Sequence, residues 1–400
     1  MNPSRTDRFL LAPFAFYCLA IALGLALRVF FVRPFALFDF GHAVHAHSHT
    51  LYFGWVGLGI CALAFARIGR ESRTLLGALA AVSAATFVAF LEGGYALPGI
   101  VVSTCALLVW ATAVVAFLRG ARGQGGVDVA FLRAGMAYAG LASLGAWARV
   151  AILAARVSDP LPGKLAVFAF LHDFAWFFVL AIFGLVAWLA PHLGTRLDER
   201  LLRLQLWLTV PFAWLTFPLG VAGGNTGALG AVARTATVAL AVPAALGCWN
   251  LWTAARTARG GGRAALRWLA FWFAAQAAME LAGALGLADA AVASRHLAIL
   301  YLHALLVGFV SFGLVLALLV RLGAPLPRLA VALHHGGLLV MAAGLALAGG
   351  AAFGLGALAG AGLWLAAAGG AALLLGALSF ATAAVRACLR PRPAAALAAP

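Results

Sequence analysis

The sequence predicts an all-α polytopic membrane protein with about twelve transmembrane helices in one bundle. Hydrophobic residues make up 65% of the 400-residue chain and charged residues 10%, whereas a soluble domain carries about 25% charged residues. Apolar stretches of about 20 residues, the length of a membrane-crossing helix, recur along the whole chain. We therefore expect the lipid bilayer to be the main surroundings of this protein.

The apolar stretches define the expected spans, whose ends are placed to within about 2–4 residues. The first should remain as a signal anchor because further spans follow it. Residues 1–390 are predicted to form a single transmembrane bundle, and the Pro/Ala-rich segment 391–400 a disordered tail. The spans cover roughly 9–32, 43–66, 74–92, 97–118, 134–156, 165–190, 204–222, 232–254, 268–287, 296–320, 329–349 and 354–385.

The net charge of +16 sets the topology and does not indicate a nucleic-acid partner. Most of the 27 Lys and Arg residues fall on one set of alternating loops and tails. By the positive-inside rule, that side faces the cytoplasm of a bacterial-type inner membrane, and both termini are cytoplasmic. The basic residues expected on the opposite side are Arg28, Arg33, Arg149, Arg156, Lys164, Arg234 and Arg295.

A cluster of four histidines opens the second span, and further histidines lie in the sixth and tenth spans. Histidine is costly in hydrocarbon and is a common metal ligand, so such a cluster needs a reason. At 1.5 Å per residue, the spans bring imidazoles to a common level about 10–12 Å below the outer surface. The histidines are His42, His45, His47 and His49 in span 2, His172 in span 6, and His296 and His303 in span 10.

The helical faces of span 2 leave two arrangements open. His42, His45 and His49 fall within about 60° of one another, whereas His47 points to another side. The span would serve two neighbouring centres, or one centre and one hydrogen-bonding partner. A lone buried histidine more often packs or hydrogen-bonds, but the shared depth favours a metal or haem iron, both of which accept imidazole.

Charged groups near the histidines suggest further roles. Arg149 and Arg295 are suitably placed cations for haem propionates. Asp173 projects about 100° away from its neighbour His172 and is expected to orient a different histidine. Glu280 is a candidate for a proton relay or for pairing with Arg149. The other histidines, His192, His334 and His335, are interpreted as interfacial or packing residues.

Two short segments resemble a known family. Residues 47–55 (HSHTLYFGW) resemble the H-x-H-x-x-x-F-G-aromatic stretch of the NnrS family of haem- and copper-containing membrane proteins. Residues 303–308 (HALLVG) are similar to that family's H-A-L-x-x-G. The layout of twelve spans also resembles subunit I, the catalytic subunit, of haem–copper oxidases. The resemblance implies haem ligation from spans 2 and 10, with a link to nitric oxide or respiratory redox chemistry.

The chain departs from the oxidase pattern in span 6 and span 7. Trp176 stands where the oxidases have a tyrosine four residues after the copper histidine, and 204–222 contains no histidine pair. A three-histidine copper site of the oxidase kind therefore has too few ligands. Oxygen reduction and redox proton pumping are not predicted.

The leading hypothesis is a membrane protein that binds b-type haem, with copper as a second candidate cofactor. Its role would be redox or nitric-oxide-related, any enzymatic activity would be that of a haem-dependent oxidoreductase, and its partner an electron donor or respiratory subunit. The alternatives are a histidine-dependent transporter of a metal ion or small solute, or a non-catalytic respiratory-complex subunit. The haem candidates are His47, His49, His303, Arg149 and Arg295, and the metal candidates are His45, His172 and His296.

Overall fold

The chain folds into long helices joined by short loops. A computed structural model describes residues 7–221, 227–289 and 294–389, without the side chains of 7, 8, 351 and 352. These residues form helices and turns and contain no strand. Eleven of the helices are long and apolar enough to cross a membrane. The prediction of an all-α polytopic membrane protein is thereby confirmed.

We number the helices in chain order, and bends within a helix do not change its number. The eleven long helices are α1 (Leu11–Val32), α2 (Phe40–Arg67), α3 (Arg73–Gly93), α4 (Leu97–Gly120), α5 (Val127–Ala154), α6 (Pro160–Leu193), α8 (Ala228–Thr257), α9 (Gly261–Leu287), α10 (Arg295–Leu322), α11 (Arg328–Gly349) and α12 (Gly356–Leu389). A shorter α-helix, α7, spans Glu199–Ala213.

The predicted seventh span, 204–222, is not one continuous α-helix. α7 is followed by the 3₁₀ helix Trp214–Gly220, and prolines lie inside both segments. Proline lacks the backbone N–H that an α-helix needs, so it disturbs the ladder of hydrogen bonds. Among the residues that the structure describes, eleven helices therefore meet the length for spanning, where twelve spans were predicted.

A tyrosine from α5 joins the two parts of this interrupted helix. The Tyr138 hydroxyl donates to Val210 O at 2.7 Å and accepts from the Trp214 N–H at 3.2 Å. In an α-helix the N–H of residue 214 would donate to the carbonyl of residue 210 directly. The hydroxyl is thus inserted into the helical ladder, a known cause of helix distortion.

The helices that carry the predicted histidine layer are also the most deeply buried. In their most apolar 18-residue windows, 83% of the residues are buried in α2, 78% in α6 and 89% in α10. In each of the other eight long helices the share lies between 28% and 44%. A helix with so little lipid-facing surface can carry small and polar residues, because these face other helices instead of lipid.

Contacts between Cα atoms divide the chain into two compact units. Unit 1 comprises 1–113, 314–341 and 364–400, and unit 2 comprises 114–313 and 342–363. The single bundle over 1–390 stays a prediction, and the predicted disordered tail 391–400 lies outside the described residues. Within unit 2, α5 lies so close to α6 that a Cβ at Gly145 would be 2.6 Å from Ala166 O.

We expect Tyr138→Phe to destabilise the protein. Without the hydroxyl, the part-buried hydrogen bonds to Val210 O and from the Trp214 N–H are lost, and a typical hydrogen bond contributes about 0.5–1.5 kcal/mol. Thermal unfolding in detergent, followed by circular dichroism, should show a lower midpoint than wild type. Tyr95→Phe is the control, because Tyr95 is 57% exposed. Equal midpoints for the two variants would contradict this role for Tyr138.

Candidate functional site

The start of α2 is fixed by a capping carboxylate. The Asp39 side chain accepts from the His42 N–H at 2.9 Å, which satisfies one of the unpaired donors at the helix start. This hydrogen bond holds the pKa of the Asp39 carboxyl below its usual range. His42 is half-buried and its Nε2 lies 4.0 Å from the same carboxylate. His42 therefore belongs to the cap of the helix.

His47 of α2 is packed against α1 within unit 1. Its Nδ1 lies 2.8 Å from Ala20 O, and a Cβ at position 24 would be 2.8 Å from its Cε1. A carbonyl oxygen only accepts, so Nδ1 carries the proton and Nε2 keeps the lone pair in the neutral ring. Gly24 is thus required for the close approach of this imidazole to α1.

His49 is held by its own helix and by an aromatic ring from α3. Its Nδ1 lies 2.8 Å from His45 O, and its ring stacks on Phe90 with 4.1 Å between centroids. The His45 ring packs edge-on against Tyr95, with a centroid distance of 4.7 Å. His49 is thus fixed in orientation, again with Nδ1 protonated and the lone pair on Nε2.

His303 of α10, in unit 2, has the same local structure as His49. Its Nδ1 lies 2.8 Å from Ile299 O, the carbonyl four residues earlier. A π-helical segment follows each of the two histidines directly, over Thr50–Gly57 after His49 and over Ala304–Ser311 after His303. Such segments are rare and frequently lie at functional sites.

The sequences of α2 and α10 repeat each other around these histidines. The repeat was missed from the sequence alone, because the intervening residues differ and no long stretch is identical. The two π-helical segments show the register in which the helices correspond. In that register His42, His49, Leu51, Gly54, Val56, Gly59 and Arg67 recur as His296, His303, Leu305, Gly308, Val310, Gly313 and Arg321.

A glycine in each copy receives an aromatic ring from a neighbouring helix. A Cβ at Gly54 would lie 2.6 Å from the ring of Phe16, which belongs to α1. A Cβ at Gly308 would lie 2.5 Å from the indole of Trp272, which belongs to α9. Any larger residue would push these rings away, so both glycines are needed for the packing beside the histidines.

His172 of α6 has a different environment, in unit 2. Its Nε2 accepts from the Trp176 indole at 3.2 Å and lies 2.6 Å from the Thr216 hydroxyl. Its Nδ1 lies 3.4 Å from Asp173 Oδ1. The expectation that Asp173 orients a different histidine is therefore wrong, because side-chain rotation brings its carboxylate to His172. Trp176, in the position of the oxidase tyrosine, contacts this histidine directly.

The remaining predicted residues of unit 2 have different individual surroundings. Arg149 is half-buried, with its guanidinium against Gly163 near the start of α6. Arg295 is exposed in the first turn of α10, and His296 beside it is half-buried. Glu280 accepts from the Tyr301 hydroxyl at 2.7 Å, so a phenol partners this carboxyl where pairing with Arg149 was an alternative.

Sequence reasoning missed one buried polar pair in unit 1. His334 is fully buried, as its packing interpretation implies, and its Nδ1 lies 3.1 Å from the Tyr17 hydroxyl. Tyr17 in turn stacks on Trp55, with 4.4 Å between ring centroids. The position of Tyr17 within a uniformly apolar span gave no signal of this contact.

These groups provide oriented imidazoles and a few carboxyls. Within the described ranges, no group of three or more His, Cys, Asp or Glu side chains is placed to hold a metal ion. A haem iron needs only one or two protein ligands, and imidazoles with a fixed Nδ1–H suit that role. Comparison with protein-family models and with curated proteins finds no match to this chain.

Thr216→Val should expose His172 to modification. The substitution removes the Thr216 hydroxyl from His172 Nε2 and leaves the Trp176 indole there. Diethyl pyrocarbonate attacks this nitrogen. A neutral hydrogen bond contributes about 1 kcal/mol, so we expect a rise in the modification rate of about 3- to 10-fold. Peptide mass spectrometry would measure it. Thr235→Val is the control, since its exposed hydroxyl bonds its own helix at Ala231 O. Equal rates in both variants would contradict the hydrogen bond.

Proposed function

We propose that the chain is an inner-membrane protein that binds b-type haem and has a redox or nitric-oxide-related role. The observation that carries the proposal is the repeated histidine element. His49 and His303 each direct Nδ1 to the carbonyl four residues earlier, and a π-helical segment follows each. Histidines that ligate metals nearly always have their second nitrogen on a carbonyl or carboxylate in this way.

The chain's own residues would prepare the ligands for the cofactor. His49 and His303 would each supply an Nε2, and His47 is a third imidazole of the same kind, anchored at Ala20 O. Bound haem would supply an iron that carries one electron or binds nitric oxide. Arg149 and Arg295 remain the candidate cations for its propionates.

The orientation of each imidazole is the protein's main contribution. The carbonyl bond fixes the tautomer and raises the basicity of Nε2. The Phe90 ring, stacked on His49, covers one face of the imidazole and limits its rotation. A ligand held in this way loses little conformational entropy when it binds the iron.

Copper is a second proposed cofactor. Its candidate ligands His45, His172 and His296 lie apart from one another in the sequence, and His172 Nε2 already accepts a hydrogen bond. Copper binding would require Trp176 and Thr216 to move from that nitrogen. The similarity to the NnrS family and to subunit I of the haem–copper oxidases is the argument for testing it.

Purified protein should show a b-type spectrum when its dithionite-reduced state is compared with its oxidised state. A pyridine haemochrome gives the haem content per chain, and elemental analysis gives copper. We expect His49→Gln and His303→Gln to lower the haem content to about a tenth or less, because glutamine offers no imidazole nitrogen to iron. His192→Gln is the matched control, as His192 is exposed at the end of α6.

The outcomes separate the proposal from its failure. Loss of the spectrum in the two site variants but not in the control supports haem ligation by the repeated element. A colourless protein from cells with ample haem overturns the proposal. Unchanged haem content in both site variants assigns the ligands elsewhere. Circular dichroism of each variant guards against loss of haem through unfolding.

A further inference from the structure

Unit 2 contains a cavity that the histidine element does not use. It lies between α6, α7, α8 and α9 and is partly open to the outside, and a volume of about 10 Å³ is accessible to the centre of a water molecule, which is room for about one water. Most of its wall is apolar, but several polar side chains face it. The polar residues among those that line it are Gln205, Thr209, Gln276 and Glu280, together with the indole-bearing Trp176.

Gln205 is the part of the wall that needs a partner. Its side chain is 3% exposed, and its Oε1 has no hydrogen-bond donor among the described residues. Leaving a buried amide oxygen unpaired costs about 1–3 kcal/mol, so native proteins seldom do it. An O–H or N–H donor inside the cavity would remove this cost.

Glu280 lies on the wall of the same cavity. Its carboxyl accepts from the Tyr301 hydroxyl and is hydrogen-bonded to the Gln276 amide. Gln276 is 2% exposed and Glu280 is half-buried. An ionisable side chain at this position in a membrane span is costly and commonly serves proton transfer.

The groups that face Glu280 set its ability to hold charge. α10 contributes the Tyr301 hydroxyl, α9 the Gln276 amide, and α6 the His172 imidazole at longer electrostatic range. α7 contributes the neutral Gln205 and Thr209. The residues that α8 contributes to the cavity wall are all apolar: Leu240, Pro243 and Ala244.

We propose that this cavity is a water-binding site, and that its water connects Gln205 with Glu280 so that Glu280 exchanges a proton through it. A water O–H would donate to Gln205 Oε1. When Glu280 releases its proton, the carboxylic O–H bond breaks and a new O–H bond forms on a water molecule, which becomes hydronium. The carboxylate that remains keeps its hydrogen bonds to Tyr301 and Gln276. The reverse transfer restores the acid.

The water is tested by hydroxyl-radical footprinting of the purified full chain, with radicals made from water by X-rays. Radicals formed from a bound water oxidise the side chains beside it, even buried ones. We expect oxidation of Trp176 and Phe273, which line the cavity at 7% and 3% exposure. Phe131 is also buried but lies off the cavity, and it should stay unmodified. If Trp176 and Phe273 stay as unmodified as Phe131, the proposal is overturned.

Gln205→Leu tests the anchoring of the water. It removes the amide oxygen, so oxidation of Trp176 and Phe273 should fall several-fold. Gln124→Leu, in the loop between α4 and α5, is the matched control and should leave the oxidation unchanged. If Gln205→Leu fails to fold, the wild-type footprint alone decides the water site. Oxidation that survives Gln205→Leu undiminished would overturn the role of Gln205.

The proton is tested by infrared difference spectra between acidic and alkaline pH. We expect a carboxyl C=O band that is absent in Glu280→Gln and moves when the protein is transferred to D₂O. No pH-dependent band attributable to Glu280 would overturn the proton exchange. These measurements do not depend on haem, so they can succeed or fail independently of the proposed function.

Discussion

Every backbone N–H and C=O of this chain inside the bilayer must find a partner within the protein, since hydrocarbon offers none. This constraint explains the long helices and also the way in which they are interrupted. Where prolines disturb α7, the Tyr138 hydroxyl donates to the carbonyl of Val210 and accepts from the N–H of Trp214. The chain then continues as a 3₁₀ helix, which brings the Thr216 hydroxyl to His172. One satisfied break therefore positions a side chain at the site.

The polar groups of the histidine side chains also need hydrogen-bond partners within the protein. His47, His49 and His303 direct Nδ1 to backbone carbonyls, so each ring has a defined tautomer and orientation. His172 instead meets side chains, and its Nε2 accepts a hydrogen bond from Trp176. The same residue type thus has two distinct environments. In the first the imidazole is oriented by a backbone carbonyl, and in the second it is held by side chains of α6 and of the 3₁₀ helix that follows α7.

Much of the architecture could be predicted from the sequence, because length and hydropathy alone define a membrane helix. The deep burial of α2, α6 and α10 agrees with the histidines that these helices carry. The prolines at 211 and 218 make a break in this span predictable, but not its partner, because Tyr138 comes from another helix. The partner of Asp173 was predicted wrongly, because a 100° projection fixes the Cβ and leaves the carboxylate free to rotate. The repeat of α2 in α10 became visible only through the positions of the π-helical segments.

The aromatic rings that fit against Gly54 and Gly308 have a consequence for how this protein changes over evolutionary time. A side chain at either glycine requires a smaller partner than Phe16 or Trp272, and neither replacement is tolerated well alone. The two positions of each pair should therefore vary together across descendants of a common ancestor. The pairs are separate, so one copy of the repeated element is free to diverge while the other is retained.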